Sequence, residues 1–104
     1  MDIKVLLGQR VRELRLANNM TQEYLAELVG IETQSLSNIE RGKYYPTAQN
    51  LNKLIEILNI EPAELFNFKH LSPYKELIDE MNKTLQQNEE LTRLVYKFYS
   101  LVKK

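Results

Sequence analysis

Polar side chains with hydrogen-bonding heads cluster in one short stretch of the chain, residues 33–38. They are Thr33, Gln34, Ser37 and Asn38. Helical spacing places them opposite Leu36 and Ile39. A Gln or Asn amide can pair bidentately with adenine, and a Thr methyl group can contact the methyl group of thymine. These residue types predict a helix that reads base edges of DNA; the alternative is an ordinary solvated helix face.

Candidate contacts to a phosphate backbone lie on both sides of this stretch. They are Gln22, Arg41, Lys43 and Tyr44. Gln22 is expected at the start of a helix, where N–H groups favour an anion. Arg41 and Lys43 supply positive charge directly after the polar stretch. Tyr44 offers either a hydroxyl group to a phosphate or a ring for packing within its loop.

The elements that must position these side chains are helices. Apolar residues recur at helical spacing almost throughout, which predicts five helices within residues 1–66. Thr21 is expected to cap the second helix, and Gly30 is expected to end it in a left-handed conformation. The third helix spans about residues 33–40, Thr47 caps the fourth, and a short helix over residues 62–66 completes the unit.

Residues 21–42, TQEYLAELVGIETQSLSNIERG, resemble the helix-turn-helix of the Cro/C1-type (XRE) family. The family pattern runs T-Q-x-x-L-A, then G-[IV], then an apolar residue followed by S-x-[IL]-E-x-G. The resemblance extends from about Leu7 through Phe66. It implies an all-α fold, a lambda-repressor-like DNA-binding domain whose third helix enters the major groove. It therefore implies a sequence-specific transcriptional regulator, either a repressor or an autoregulator.

The resemblance also assigns roles to individual charged and polar residues. It implies a partly buried ion pair between Arg15 and Glu40, which fixes geometry more than it stabilises. In the family, the Gln that matches Gln22 often bonds the DNA backbone. Glu32 departs from the pattern, because this position usually holds Ser, Thr or Asp. Its carboxylate suits the helix dipole but would face the DNA phosphates.

The charge balance of the chain limits how DNA affinity can arise. Residues 1–66 carry seven Lys/Arg and nine Asp/Glu, a net charge of −2, and residues 67–104 carry seven and five, a net charge of +2. A DNA-binding domain usually shows a basic face. Affinity is therefore expected from local placement of charge, from hydrogen bonds and from dimerisation.

The sequence beyond the connector at residues 67–71 predicts one long helix over residues 72–104, with Ser72 as its N-cap. Positions 74, 78, 81, 85, 88, 92, 95, 99 and 102 form an imperfect heptad seam, with Asn88 where a buried polar residue could set the register. This apolar side predicts the interface of a homodimer. Its residues are Ile78, Met81, Leu85, Leu91, Leu94, Val95, Phe98, Leu101 and Val102. The alternative is that the helix folds back over its own domain.

Other classes of function find little support in the sequence. Cysteine is absent, and His70, the single histidine, has no second metal ligand nearby. No Gly-rich phosphate loop, nucleophile elbow or run of about 18 apolar residues occurs. We therefore expect no catalytic residue, metal, cofactor, small-molecule ligand or membrane span, and a cytoplasmic protein of bacterial or phage origin.

A second hypothesis is a protein-interaction module on a helix-turn-helix scaffold, such as an antitoxin or an antagonist of another regulator. The acidic balance of residues 1–66 and the apolar stripe of the C-terminal helix favour it. A stable complex with a neighbouring gene product that does not touch DNA would distinguish this hypothesis from a DNA-binding regulator.

Overall fold

Helices form the regular secondary structure of residues 2–103, the part of the chain that the computed structural model describes. The first five helices, α1–α5, are Ile3–Ala17, Gln22–Val29, Thr33–Glu40, Ala48–Leu58 and Pro62–Leu65. A short 3-10 helix, Lys69–Leu71, precedes α6 (Tyr74–Gln87) and α7 (Glu89–Val102). The predicted all-α class is confirmed. The chain divides into two compact units, one ending at Lys69 and the other beginning at His70.

Local signals place α2 and α4 where the sequence predicts them. The Thr21 hydroxyl oxygen accepts a hydrogen bond from the Tyr24 amide at 3.0 Å, and Thr47 caps α4 through the Asn50 amide at 3.1 Å. Gly30 follows α2 at φ +87°, a left-handed conformation that favours glycine. The left-handed turn at Gly30 allows a short connection from α2 to α3, and α3 packs against both α1 and α2.

One hydrophobic core joins the helices of the first unit. Its most deeply buried side chains are Leu7, Val11, Leu25, Ala26, Val29, Leu36, Leu54, Leu58 and Leu65. Burying a side chain of the size of leucine is worth about 1.5–3 kcal/mol. Because α3 places both Leu36 and Ile39 inside, this burial determines which face of α3 stays outside.

Within the described residues the second unit contains two α-helices, so the prediction of a single long helix over residues 72–104 is wrong. Asn88 interrupts it with extended backbone, at φ −140° and ψ 95°. The Asn88 side chain accepts a hydrogen bond from the Leu91 amide at 2.9 Å, and the Thr92 hydroxyl donates to the Leu85 carbonyl at 2.7 Å. These hydrogen bonds provide partners for a carbonyl group at the end of α6 and an amide group at the start of α7. Asn88 is exposed and caps α7.

The start of α6 also differs from the prediction, by one residue. Pro73 is the N-cap and Tyr74 is the first helical residue, so the assignment of Ser72 as N-cap is wrong. The Pro73 carbonyl accepts hydrogen bonds from the amides of Glu76 at 3.0 Å and Leu77 at 3.3 Å. The Pro73 backbone, at ψ 133°, is still outside the helical range, so the helix begins after the proline ring.

Most of the apolar residues predicted to form a dimer interface are exposed in the single chain. The exposed ones are Ile78, Met81, Leu94, Val95, Phe98, Leu101 and Val102. Leu85 and Leu91 are half-buried, on α6 and α7, which contact each other. Leu101, at 83% exposure, keeps most of its side chain in water. The second unit therefore presents apolar surface that the chain by itself leaves uncovered.

Candidate nucleic-acid interface

α3 turns a polar face away from the core. Its buried residues are Leu36, Ile39 and Glu40. At about 100° per residue, the opposite direction passes through Gln34, Asn38 and Arg41, with Thr33 and Ser37 on one flank. Gln34 and Arg41 are exposed, and the other three are half-buried. The four residues predicted to read bases therefore share one side of α3 with Arg41, which was predicted to contact phosphate.

Hydrogen bonds connect the side chains along the centre of this face. The Asn38 Oδ1 atom accepts one bond from Gln34 Nε2 at 3.2 Å and a second from Arg41 Nη2 at 2.8 Å. Because Oδ1 is occupied by two donors, the amide group of Asn38 is held in a defined orientation. The guanidinium of Arg41 lies beside Asn38 and also donates from Nε to the Ser37 carbonyl at 3.4 Å.

Two exposed residues near the start of α3, Glu32 and Ser35, lie beside this face. Ser35 is exposed and was not among the predicted base-reading residues. The same 100° spacing places it on the other flank of the helix. Glu32 is the N-cap of α3, but its side chain makes no capping hydrogen bond. The exposed Glu32 carboxylate therefore adds negative charge beside the face without capping the helix.

Arg15 and Glu40 lie together beneath this face. Arg15 Nε donates to Glu40 Oε2 at 2.7 Å, and Arg15 Nη2 donates to Glu40 Oε1 at 3.0 Å. The two side chains are 8% and 1% exposed. The hydrogen bonds that Arg15 donates to Glu40 raise the pKa of the Arg15 guanidinium above its usual value, although burial opposes the shift. The pair is a bidentate contact of the kind that fixes geometry, and it joins α1 to the last residue of α3.

Gln22 begins α2, as predicted for a backbone contact, and its side chain also touches the ion pair. Gln22 Nε2 donates to Glu40 Oε1 at 3.0 Å. The remaining guanidinium nitrogen of Arg15, Nη1, donates to the Met20 carbonyl at 2.8 Å, in the connection before α2. The sequence does not predict the link between Gln22 and Glu40, because it joins residues 18 positions apart through tertiary packing.

Gly8 is a positioning residue that the sequence interpretation missed. A Cβ atom at this position would lie 2.2 Å from the Ile39 carbonyl oxygen and 2.8 Å from that of Glu40. Real Cβ atoms essentially never come this close, so α1 and the end of α3 approach each other only because residue 8 is glycine. A lone glycine inside a helical pattern often has such a packing reason, and this was the available signal.

The loop after α3 presents the remaining predicted backbone contacts. Lys43 and Tyr44 are exposed, and Tyr44 is 62% exposed, so its ring is not packed into the loop. Gly42, at φ +77°, reverses the chain after α3, and the Lys43 amide donates to the Asn38 carbonyl at 2.9 Å. This turn holds the Lys43 backbone close to the end of α3.

Arg10 on α1 is part of the scaffold. Its Nε donates to the Glu64 carbonyl at 2.9 Å, which ties α1 to α5, and its Nη1 lies 3.7 Å from Glu13 Oε1. This i,i+3 ion pair is partly exposed and contributes little, whereas the hydrogen bond to the Glu64 carbonyl joins two distant parts of the chain.

Within residues 2–103, no three His, Asp or Glu side chains are grouped so that they could hold a metal ion. In the same residues, no helix has the length and apolar character needed to cross a membrane.

Comparison with known proteins gave a family match and several relatives. A helix-turn-helix family model matches residues 11–65, more than half of the chain. Control protein C.BamHI of Bacillus amyloliquefaciens is 37% identical over 68 residues, which cover 64% of this chain and 84% of that protein. An HTH-type transcriptional regulator of Archaeoglobus fulgidus is 36% identical over 59 residues, 57% of this chain and 83% of that protein.

Solved structures give the same picture of the first unit. The restriction-modification controller protein C.AhdI from Aeromonas hydrophila aligns with a TM-score of 0.59 and 42% identity, covering 62% of this chain and 98% of that chain. The clp gene regulator ClgR from Corynebacterium glutamicum aligns over 81% of this chain with a TM-score of 0.63, but at 21% identity it shows the fold alone.

Proposed function

This chain belongs to the helix-turn-helix family, of the Cro/C1 (XRE) type, and is a transcriptional regulator; on that premise we propose that it acts as a homodimeric repressor or autoregulator on a palindromic operator. The observation that carries the proposal is the outward face of α3. It is polar, it is held rigid by the core beneath it, and its side chains are of the types that hydrogen-bond to base edges.

In the proposed complex, α3 lies in the major groove. Gln34 and Asn38 form hydrogen bonds with base edges, and each good bidentate contact is worth about 1–3 kcal/mol of discrimination. Thr33 and Ser37 lie on the flank and contact neighbouring bases or methyl groups. The function requires binding only, and we assign no catalytic step, cofactor or small-molecule ligand to this chain. We place the protein in the cytoplasm and infer a bacterial or phage origin.

Backbone contacts hold α3 in register with the groove. We assign them to Gln22, Arg41, Lys43 and Tyr44. Lys43 and Tyr44 are exposed in the loop that follows α3, and Gln22 lies at the positive end of the α2 dipole. Each protomer contributes few positive charges in this arrangement, so two half-sites are needed for useful affinity.

The second unit supplies the dimer contact in this proposal. Its support is the apolar surface of α6 and α7 that the single chain leaves exposed, with Phe98 at 66% and Leu101 at 83% exposure. A linked second binding event occurs at a high effective concentration, which raises affinity without any new contact to DNA. Two-fold symmetry then places the half-sites about 34 Å apart, or a multiple of that distance.

Selection of bound sequences from a random DNA pool tests the proposal. We expect a palindrome whose half-sites are centred about one or more helical turns apart. Gln34→Ala, on the outward face, should recover a degenerate position in each half-site, whereas Glu56→Ala on the exposed side of α4 should leave the site unchanged. A lone half-site would contradict the dimer, and no enrichment over random DNA would contradict DNA reading altogether.

A role in controlling restriction-modification genes is a narrower candidate. Its support is the 37% and 42% identity to proteins named as control or controller proteins. Locating the selected site in the genome distinguishes a control protein for restriction-modification genes from a general regulator. A site upstream of restriction or modification genes supports the narrower role, and its absence there leaves the general regulator.

A further inference from the structure

We propose that Glu40, held in place by Arg15, is a positioning residue for the DNA-backbone contact of Gln22. The inference deepens the proposed function and rests on it. It assigns to a buried ion pair, which otherwise serves only the scaffold, a part in how the protein grips the phosphate backbone.

The geometry of Glu40 carries the inference. One carboxylate oxygen, Oε1, accepts hydrogen bonds from both Arg15 Nη2 and Gln22 Nε2, each at 3.0 Å, while Oε2 accepts from Arg15 Nε at 2.7 Å. With Arg15 Nη1 bonded to the Met20 carbonyl at 2.8 Å, the cluster joins α1, the α1–α2 connection, the start of α2 and the end of α3. No buried side-chain nitrogen or oxygen among the described residues lacks a partner.

The chemistry of the carboxylate determines which way the Gln22 amide faces. An ionised carboxylate only accepts hydrogen bonds, so it selects the NH2 side of the amide and excludes the flipped orientation. One N–H of Gln22 is used by Glu40 and the second remains. A DNA phosphate also only accepts, and the second N–H is the donor that it needs. A free glutamine at a helix start has to be ordered at the moment of binding, whereas this one is ordered beforehand.

Burial separates the positioning role from direct contact. The side chain of Glu40 is 1% exposed, so it cannot touch DNA, and Gln22 is half-buried with part of its surface in solvent. Any effect of Glu40 on a backbone contact therefore passes through Gln22 or through a change in the fold as a whole. The test has to distinguish these two routes.

The double variant Arg15→Met/Glu40→Met is the central test. Replacing a buried ion pair by apolar residues of similar volume is often neutral or stabilising, and the exchange leaves the net charge unchanged. We expect the melting temperature to stay near that of the wild type. Affinity for a duplex carrying the selected site should fall by about two- to tenfold per half-site, which is the order of the cost of immobilising one free side chain. Gln22→Ala should lose at least this much, because it also removes the N–H that meets the phosphate.

Combining the substitutions separates a shared effect from independent ones. If Glu40 acts through Gln22, Gln22→Ala should cost less affinity in the double-variant background than in the wild type. Lys43→Ala is the matched control, because it should weaken binding by the same factor in the wild-type and double-variant backgrounds. Losses of Gln22→Ala and the double variant that simply multiply would overturn the inference, and so would wild-type affinity in the double variant.

A second measurement tests the inference on the wild-type protein, in case the double variant does not fold. In the wild-type protein without DNA, the side-chain NH2 resonances of Gln22 should show one proton shifted downfield and protected from exchange, compared with Gln9 on the exposed side of α1. Two NH2 resonances with the shifts and exchange rates of those of Gln9 would refute the inference. Failure of the proposed function gives a different result, because wild-type protein would then bind neither the selected duplex nor a random one.

Discussion

Gly8→Ala is expected to destabilise the protein by forcing α3 away from α1. The new methyl carbon would stand 2.2 Å from the Ile39 carbonyl oxygen. Ordinary carbon–oxygen contacts lie at about 3.3–3.6 Å, so the end of α3 has to withdraw by about 1 Å. The neighbours are backbone atoms, which cannot rotate aside as a flexible side chain can.

The magnitude follows from two opposing effects. Overpacking of this kind costs typically about 1–3 kcal/mol, and the backbone contact puts it near the upper end. Alanine in place of glycine within a helix contributes about 1 kcal/mol in the other direction. The net loss is about 2 kcal/mol, or about 8–16 °C in melting temperature for a unit of this size.

Thermal unfolding followed by circular dichroism measures the effect, with Gln9→Ala as the matched control at the exposed neighbouring position. The control should change stability by no more than about 0.5 kcal/mol. Helix propensity alone predicts that Gly8→Ala raises the melting temperature. An unchanged or raised melting temperature would therefore refute the close approach of α1 and α3, and the sign of the change decides between the two accounts.

Three further predictions concern the proposed contacts with DNA and between protomers. Gln34→Ala should relax the sequence preference at one base pair per half-site. The binding free energy should weaken by about 1–3 kcal/mol on the selected site and change little on random DNA. Equal losses on the two DNAs would contradict base reading. Lys43→Ala should weaken binding to both DNAs and reduce the salt slope by about 1 per protomer; an unchanged slope would exclude its phosphate contact. Phe98→Asp with Leu101→Asp should give monomers in sedimentation and leave the free energy of unfolding of the monomer within about 0.5 kcal/mol of the wild-type monomer, because both side chains are exposed in the single chain. A dimer that persists would remove α7 from the interface.

The helices of the first unit were predictable because their ends carry local signals. Thr21, Gly30 and Thr47 each act within a few residues, through a capping hydroxyl or a left-handed turn. Hydrophobic periodicity then determines which face is buried. Such information is contained in a short window of sequence, and the outward face of α3 follows directly from it.

The break at Asn88 was missed because the same heptad period runs through both α6 and α7. Periodicity alone does not report a helix end when the pattern stays in phase on both sides. The local signal was present: Asn88 is a favoured N-cap residue, and Glu89 and Glu90 supply the acidic first turn that suits a helix start. These capping signals predict a helix start at Asn88, and therefore two helices, even though the heptad pattern continues through the break.

The links beneath α3 could not be predicted from local sequence in the same way. Gly8 meets Ile39 and Glu40, and Gln22 meets Glu40, only after the core has brought three helices together. The residue types fit many roles: a glycine tolerates many conformations and a glutamine bonds many partners. Tertiary packing therefore decides which role each one has.

Contacts within the fold use two of the arginines of the first unit, and this limits which positive charges can attract DNA. Arg15 is committed to Glu40, and Arg10 donates to the Glu64 carbonyl, so neither is available to a phosphate without breaking a contact. The cations that flank the outward face of α3 are Arg41 and Lys43. If both bind phosphates in each protomer, a dimer neutralises about four, and log K should fall against log salt with a slope of about −3.6. A slope near −2 would show that Arg41 stays on Asn38 and acts within the groove. A much steeper slope would show that the basic second unit also contacts DNA, and that it does more than dimerise.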